Sequence, residues 1–188
     1  MNKIRLVTSN LNKLKEFIRL SGGLDVDIQH GEDLKEVKSE DSIEVAIYKS
    51  LEAGEGAIVE DTILKVNGEE ITDIRYRLSE LSQIADSSDC KLEWITTLAL
   101  HNGYSVALYQ GVTHGTFKDI KDVPNDAFGF DPFFIPNGVS KTLYELEKDG
   151  CKDDFSARKT AIQNLILDKK VKEVEINSIP PWKGEYQS

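Results

Sequence analysis

Cysteine and histidine are scarce in this sequence of 188 residues. The two cysteines, Cys90 and Cys151, form no CxxC pair, and the three histidines are scattered along the chain. This composition excludes a disulfide framework and a Cys/His zinc site. A chain of this length needs neither, because it can bury roughly 70% of the surface that its unfolded form exposes.

Basic residues and long apolar runs are also few. The sequence has 23 Lys and Arg and 33 Asp and Glu, which gives a formal net charge of −10. This charge argues against broad binding to nucleic acid. No apolar run approaches the roughly 20 residues that span a bilayer, and the first ten residues do not resemble a signal peptide. We expect a cytoplasmic protein in a reducing compartment. A small anion could still bind through a few cations or a carboxylate-held metal.

The hydrophobic pattern predicts an α/β (mixed α+β) fold, with a single domain over residues 1–188 and an irregular tail from about residue 176. A helix is predicted to begin at Ser9 or Asn10 and to end at Gly22-Gly23. The other predicted elements are strands at 3–8, 26–30 and 57–66 and helices at 41–54, 75–86 and 153–170. Asn102-Gly103 lies between two β-rich runs and predicts a type I′ hairpin.

Four segments could carry chemistry. The first, TSNLNKLKE at residues 8–16, lies between a strand and a helix. A helix N-terminus can hold a phosphate, here with Asn10, Lys13 and Lys15. The alternative is an ordinary helix cap with solvated lysines, since no Walker-type glycine pattern is present.

The second segment, IVEDT at residues 58–62, places two acids at the end of an apolar run. Such acids are usually solvated or paired. Alternatively they hold Mg²⁺, which prefers one or two carboxylates plus substrate phosphates, or one of them orients a water. Glu36, Glu40 and Glu44 are further acids, most of them expected to be solvated.

The third segment, DAFGFDPFFIP at residues 126–136, puts four of the seven phenylalanines around Asp131. In an extended segment Phe128 and Phe130 would lie on one face. A base stacked there gains about 1–3 kcal/mol, and Asp131 could accept from its ring N–H groups. The alternative is a core strand, and for Phe133 and Phe134 we expect ordinary packing.

The fourth segment, KDDFSARK at residues 152–159, gathers Lys152, Ser156, Arg158 and Lys159 at the start of a helix. Cations at this end oppose the helix dipole, which is unfavourable unless an anion is recruited. The pattern therefore favours an anion-binding role.

In this order the four segments resemble the inosine triphosphate pyrophosphatase family, the Ham1-like nucleoside triphosphate pyrophosphatases. The family's TGN-x-x-K-x-x-E is similar to residues 8–16 and its E-D-[ST] to residues 60–62. Its G-F-G-[YW]-D-P-x-F-x-P is similar to residues 127–136, and its K-N-x-x-S-H-R to residues 152–158. A G-x-x-x-G-x-[IF] pattern is similar to residues 111–117. The resemblance runs from about residue 4 to about residue 167.

The resemblance implies Mg²⁺-dependent hydrolysis of a nucleoside triphosphate to the monophosphate and pyrophosphate. It implies two lobes on a long mixed sheet, an active-site cleft between them, and a homodimer. By position it implies catalytic roles for Asp61 and Lys13 and metal binding by Glu36 and Asp61. The implied substrate-binding residues are Thr8, Asn10, Lys13, Lys49, Thr62, Phe128, Phe130, Asp131, Lys152, Ser156 and Arg158.

Three departures bear on selectivity. The family's His in S-H-R is Ala157, the Gly of TGN is Ser9, and DIRYRLSEL at residues 73–81 replaces a glycine-rich segment. The resemblance implies an aberrant purine nucleotide such as ITP, XTP or dITP as the substrate. Loss of a buried polar group that reads the base relaxes or redirects selectivity, so another nucleotide is also expected to be possible. Two alternatives stay open: a catalytically weak nucleotide-binding or regulatory protein on the same fold, and a Maf-like pyrophosphatase.

Overall fold

The computed structural model describes residues 4–22, 26–30, 34–71, 74–84 and 90–187. The strands are β1 Ile4–Thr8, β2 Val26–His30, β3 Ala57–Val66, β4 Glu69–Ile71, β5 Lys91–His101, β6 Ser105–Phe117, β7 Phe134–Pro136 and β8 Lys172–Glu175. The α-helices are α1 Leu11–Leu20, α2 Ser42–Ala53, α3 Ile74–Arg77, α4 Leu81–Ile84, α5 Leu143–Lys148 and α6 Ala157–Ile166. No described helix is long and apolar enough to cross a membrane.

The two longer N-terminal helices begin at side-chain caps, as predicted. Asn10 caps α1, and Asp41 caps α2 by accepting the N–H groups of Ile43 at 2.9 Å and Glu44 at 3.4 Å. Helix α2 ends at Gly54, whose φ of +84° lies in the left-handed region where glycine needs no strain. Gly23, predicted to help end α1, lies outside the described residues.

The strands form a mixed eight-stranded sheet, which confirms the predicted fold class. The order along the sheet is β2-β1-β3-β5-β6-β7, with β4 paired to β3 and β8 paired to β6. β1 runs parallel to β2 and β3, whereas β6 runs antiparallel to β7 and β8. Strand β8 lies between the predicted helix and the predicted tail, where we predicted no element.

The type I′ prediction was made for the wrong turn. Asn102-Gly103 does connect β5 and β6, but among the described non-glycine residues only Asn67 and Asp168 have positive φ. Asn102 instead accepts the N–H groups of Tyr104 and Ser105 through its side chain. Asn67 and Gly68 join β3 to antiparallel β4. Their φ angles of +51° and +89° are both positive, as the two central residues of a type I′ turn require.

Two predicted helices differ in detail. The segment predicted as helix 75–86 is α3, a 3₁₀ turn at Leu78–Glu80 and α4, and residues 85–86 lie outside the described part. The helix predicted at 153–170 is wrong at both ends, because a 3₁₀ turn at Lys152–Phe155 precedes α6. Ser156 between them is extended, and Asp168 beyond α6 has a φ of +51°.

The chain divides into two compact units. Unit 1 is Met1–Asp61, Thr96–Gly111 and Arg158–Ser188, and unit 2 is Thr62–Ile95 and Val112–Ala157. Each has its own apolar cores: unit 1 packs around residues such as Leu6, Phe17, Ile58, Val59, Leu98, Leu108 and Ile162, and unit 2 around residues such as Leu64, Leu81, Trp94, Phe130, Phe134 and Leu143. The single-domain assignment and the cleft between lobes remain predictions.

Candidate active site

Thr8 and Asn10 shape the start of α1 in unit 1. The Asn10 Oδ1 accepts the N–H groups of Asn12 at 3.0 Å and Lys13 at 3.2 Å, and the Thr8 hydroxyl accepts the Asn10 N–H at 3.1 Å. These bonds satisfy N–H groups that a helix leaves without an internal partner. They also fix Lys13 in the first turn of the helix, beside the end of β1.

A buried acid, Glu60, is the centre of the polar cluster in unit 1. It follows three fully buried apolar residues of β3, and its side chain is 2% exposed. Arg158, equally buried, binds it through two parallel bonds, Nε to Oε2 at 2.7 Å and Nη2 to Oε1 at 2.9 Å. The third nitrogen of Arg158 binds Glu16 of α1. Lys13 adds a further contact, with its Nζ 3.5 Å from Glu60 Oε1.

A second pair, Lys49 and Glu36, extends this cluster. The Lys49 Nζ, on α2, donates to Glu36 Oε1 at 2.7 Å and to the main-chain oxygen of Glu60 at 3.3 Å. Burial alone would lower the pKa of Lys49, but Asp61 and Glu36 outweigh it and raise that pKa. Lys49 is therefore held in its charged form among the carboxylates.

Asp61 is the carboxylate of the cluster with unused bonding capacity. Burial raises its pKa, and Glu36 and Glu60 add to the rise, against the opposing effect of Lys49 and Lys13. Within the described ranges no hydrogen bond and no ion pair engages its carboxylate. Burial also lowers the pKa of Lys13. Two lysines and two glutamates thus surround one acid that is open to a ligand.

The donor set fits a divalent cation that is shared with a ligand. No group of three or more His, Cys, Asp or Glu able to hold a metal occurs among the residues that the structure describes. Glu36 is near enough to Asp61 to raise the pKa of Asp61. Two carboxylates are what Mg²⁺ takes from a protein when phosphate oxygens and waters complete its octahedron.

Unit 2 contains a second buried ion pair. The Lys152 Nζ donates to Asp131 Oδ2 at 2.6 Å, and both side chains are less than one-tenth exposed. Glu147 lies 3.6 Å from the same nitrogen, and the Trp94 ring centroid lies 5.9 Å from it. A buried pair of this kind presents one donor and one acceptor in an apolar setting, which suits hydrogen bonding to the edge of a flat ring.

The phenylalanine-rich segment is not extended, contrary to prediction. A turn precedes a 3₁₀ turn at Asp131–Phe133, because Gly129 has a φ of +53° and Pro132 fixes its own φ. Phe130 is 6% exposed and packs on Trp94 and Phe134. The packing roles predicted for Phe133 and Phe134 are confirmed, since both are buried in the same core.

Phe128 is the half-buried phenylalanine of this segment. Its main-chain oxygen accepts the Asp131 N–H at 3.1 Å, which ties it to the Asp131–Lys152 pair. Stacking of a base on Phe128 stays a prediction. Phe130 belongs to the core, so its contact with a substrate also stays a prediction.

Each predicted site residue belongs to one of the two units. Thr62 is half-buried on β3, and Ser156 is buried after the 3₁₀ turn that carries Lys152. Ala157, which stands in place of the family's histidine, is fully buried in the apolar core of unit 2. Unit 1 holds Thr8, Asn10, Lys13, Glu36, Lys49, Asp61 and Arg158, and unit 2 holds Thr62, Phe128, Phe130, Asp131, Lys152 and Ser156.

Three residues were not among the site residues that the resemblance implies, although two of them, Glu16 and Glu60, lie within the quoted motifs. Glu60 and Glu16 organise the cluster in unit 1, and Trp94 lies beside Lys152 in unit 2. The spacing of Lys13 and Glu16, three apart on a helix, signals neighbouring side chains. Nothing in the sequence signals the contact of Glu60 with Arg158, 98 positions further along.

Comparison with known proteins agrees with the resemblance. The sequence profile of the Ham1 family matches residues 4–167. A dITP/XTP pyrophosphatase of Korarchaeum cryptofilum is 29% identical over 84% of this chain and 91% of its own length. An inosine triphosphate pyrophosphatase of Scheffersomyces stipitis is 29% identical over 88% of this chain and 96% of its own.

A solved structure matches the fold as well. A HAM1 protein from Coxiella burnetii superposes with a TM-score of 0.67, over 90% of this chain and 100% of that one. The two share 24% sequence identity, so this likeness concerns the fold alone. Because the profile spans residues 4–167, and with them all four candidate segments, this chain belongs to the Ham1 family.

Proposed function

We propose that this chain is a nucleoside triphosphate pyrophosphatase. It hydrolyses an NTP or dNTP, with an aberrant purine base such as that of ITP, XTP or dITP, to the monophosphate and pyrophosphate. The observation that carries the proposal is the cluster in unit 1, where Lys13, Lys49 and Asp61 meet although they come from three different elements. Relatives that span nearly the whole chain bear the names dITP/XTP pyrophosphatase and inosine triphosphate pyrophosphatase.

The reaction needs a water placed in line with the leaving pyrophosphate and neutralisation of the developing charge. Lys13 and Lys49 are the cations available for the polyphosphate. Asp61 orients the attacking water or removes its proton, because no hydrogen bond or ion pair among the described residues engages its carboxylate. Among the residues that the structure describes, we find no Ser, Cys or His nucleophile in the cluster, so the proposed step is a direct attack of water on the α-phosphorus with pyrophosphate as the leaving group.

The charge of the cluster argues for a divalent metal. Among the described residues, its four cations, Lys13, Arg19, Lys49 and Arg158, are matched by four carboxylates, Glu16, Glu36, Glu60 and Asp61. The fully ionised group is formally neutral and gives a polyphosphate no net attraction. Glu36 and Asp61 would hold Mg²⁺, which supplies charge neutralisation and orientation of the phosphates when it is bound.

The base would bind at the second pair. Asp131 would accept a hydrogen bond from a ring edge and Lys152 would donate one to it, while Phe128 would stack on the ring face. Substrate contacts of Ser156 and Arg158 are proposed from the family resemblance alone. Ala157 offers no polar atom beyond the main chain. We therefore propose a broader base selectivity than that of a site with a polar side chain at this position.

A turnover panel tests the proposal. Pyrophosphate release is measured with ITP, XTP, dITP, dUTP and the four standard deoxynucleotides, with Mg²⁺ and with EDTA. We expect turnover of at least one aberrant purine nucleotide, and its loss in EDTA. Asp61→Asn should lower the rate by about 10²-fold or more, whereas Asp149→Asn, at an exposed position, is the matched control.

One observation favours a binding protein instead. Lys13 and Arg158 already pair with Glu60, so two of the cations that a phosphate would need are occupied without a ligand. Calorimetric binding of a nucleotide, with no turnover of any member of the panel, would favour that alternative. Turnover confined to pyrimidine or modified nucleotides would favour a Maf-like activity.

A cytoplasmic homodimer is part of the same proposal. The dimer follows from the family resemblance, and the cytoplasmic location follows from a sequence with only two cysteines and no CxxC pair. Light scattering during size-exclusion chromatography tests the dimer: a mass near 21.1 kDa at micromolar concentration would contradict it.

A further inference from the structure

The segment that carries Glu36 has little regular structure of its own. Residues 34–40 contain no helix or strand, and their one β-bridge joins Val37 to Tyr186 near the other end of the sequence. Val37 is buried, which anchors the segment by packing. The Glu36 carboxylate is held by Lys49 at 2.7 Å. The Glu36 side chain therefore has a partner, and the position of its carboxylate relative to Lys49 depends on what holds the Glu36 backbone.

Residues 180–187, here called the tail strap, supply that support. The Lys38 N–H donates to the main-chain oxygen of Glu185 at 2.9 Å, and the Gln187 N–H donates to the main-chain oxygen of Glu36 at 2.8 Å. These two bonds flank the Val37–Tyr186 bridge in the manner of an antiparallel pair. The backbone of Glu36 is thus itself bonded to the strap.

The tail strap is fixed to α2, the helix that carries Lys49. The Tyr48 hydroxyl donates to the main-chain oxygen of Pro180 at 2.6 Å, and the rings of Tyr48 and Trp182 lie 5.1 Å apart. The Trp182 Nε1 donates to the oxygen of Glu185 at 2.9 Å. The strap therefore ties the Glu36 segment to the helix whose lysine binds the Glu36 carboxylate.

We infer that the tail strap is a positioning element of the metal site. Its two main-chain bonds order the Glu36 backbone before a metal arrives, so binding does not have to order it. The inference rests on the proposed function for the role of Glu36 as a ligand. The strap lies beyond residues 4–167, so the segments that carry the family resemblance do not include it.

One substitution pair isolates the main-chain bond. Gln187→Pro removes the N–H that reaches Glu36, whereas Gln187→Ala keeps that N–H and removes only the side chain. Hydrogen exchange of residues 34–40 is followed in the metal-free protein. Mn²⁺ binding is then titrated by calorimetry without nucleotide, and the rate of pyrophosphate release is measured against Mg²⁺ concentration. Thermal melting checks that each variant is folded, and a chain ending at Ile179 serves as a second variant.

In Gln187→Pro we expect faster exchange at residues 34–40 and an Mn²⁺ dissociation constant raised about 10-fold. The half-saturating Mg²⁺ concentration should rise with it, while the rate at saturating Mg²⁺ stays near that of the unmodified chain. Gln187→Ala should leave the exchange rates, the Mn²⁺ dissociation constant and the half-saturating Mg²⁺ concentration unchanged. Removal of the whole strap should raise the dissociation constant at least as much.

Three outcomes overturn the inference: unchanged exchange in both strap variants, faster exchange with unchanged Mn²⁺ affinity, or no Mn²⁺ binding by the unmodified chain. Failure of the proposed function looks different. In that case the unmodified chain binds Mn²⁺ but releases pyrophosphate from no nucleotide, and the Mn²⁺ titrations of the variants still decide the role of the strap.

Discussion

Replacing Arg158 by Met tests the buried ion pair at the centre of unit 1. The guanidinium is 2% exposed and makes two parallel bonds to Glu60, itself 2% exposed, and a third to Glu16. Methionine fills similar apolar volume but leaves the Glu60 carboxylate buried without its two guanidinium bonds, while Lys13 stays 3.5 Å away. Removing one partner of a buried pair costs about 3–5 kcal/mol. Because Lys13 remains, we expect a loss near the lower limit, about 3 kcal/mol.

The measurement is the free energy of unfolding from urea titrations followed by circular dichroism. Arg77→Met is the matched control, since the Arg77–Glu80 pair at 3.2 Å is largely exposed and such pairs contribute about 0–1 kcal/mol. The double variant Glu60→Leu/Arg158→Met removes both buried charges. It should be less destabilised than the sum of its two single variants, because neither charge is left unpaired.

Two results would refute this reasoning. If Arg158→Met costs no more than Arg77→Met, the guanidinium does not compensate a buried charge. If the double variant is as destabilised as the sum of the single variants, the two side chains act independently and the bidentate geometry has no energetic meaning.

Three further predictions concern other parts of the chain. Tyr109 donates to Asp168 at 2.7 Å, and this bond lowers the pKa of Asp168. A carboxyl whose pKa is lowered on folding stabilises the fold above its ordinary pKa of about 3.9, and this stabilisation is lost as the pH falls through the lowered pKa. Tyr109→Phe should therefore reduce the melting temperature at pH 7 more than in acid. An equal reduction of the melting temperature at pH 7 and pH 2 would contradict this. Gly115→Ala should lower the free energy of unfolding, measured in urea, by about 1–3 kcal/mol. The added Cβ would lie 2.5 Å from the Phe134 ring and would also meet the Ile135 carbonyl oxygen. An unchanged free energy of unfolding would show that β7 can shift. Asp41→Ala removes the cap of α2 and should cost about 1 kcal/mol, whereas Asp41→Asn, which keeps the acceptor, should cost clearly less.

The sequence correctly predicted the helix ends and strands that depend on residues close together in the chain. The caps at Asn10 and Asp41, the stop at Gly54 and strand β3 all follow from residues within a few positions of each other. The phenylalanine-rich segment was predicted as extended from alternation alone. Gly129, with its positive φ, and Pro132 decide that segment and turn it.

Distant partners could not be predicted in the same way. Strand β8 exists because it pairs with β6 more than 60 positions earlier, and its own pattern, with one half-buried residue among exposed ones, is weak. In the candidate site, Lys13 and Asp61 were found from short motifs. The pairing of Glu60 with Arg158 depends on tertiary contact, and the motifs marked both residues without indicating that each binds the other.

The discontinuous make-up of unit 1 has a consequence for biosynthesis. The ribosome releases Glu60 well before Arg158, so a nascent chain that stops short of residue 158 lacks the guanidinium that this carboxylate requires. All of Thr62–Ala157, which contains every residue of unit 2, is translated before that point. The half of the protein that starts first is therefore the half that is completed last.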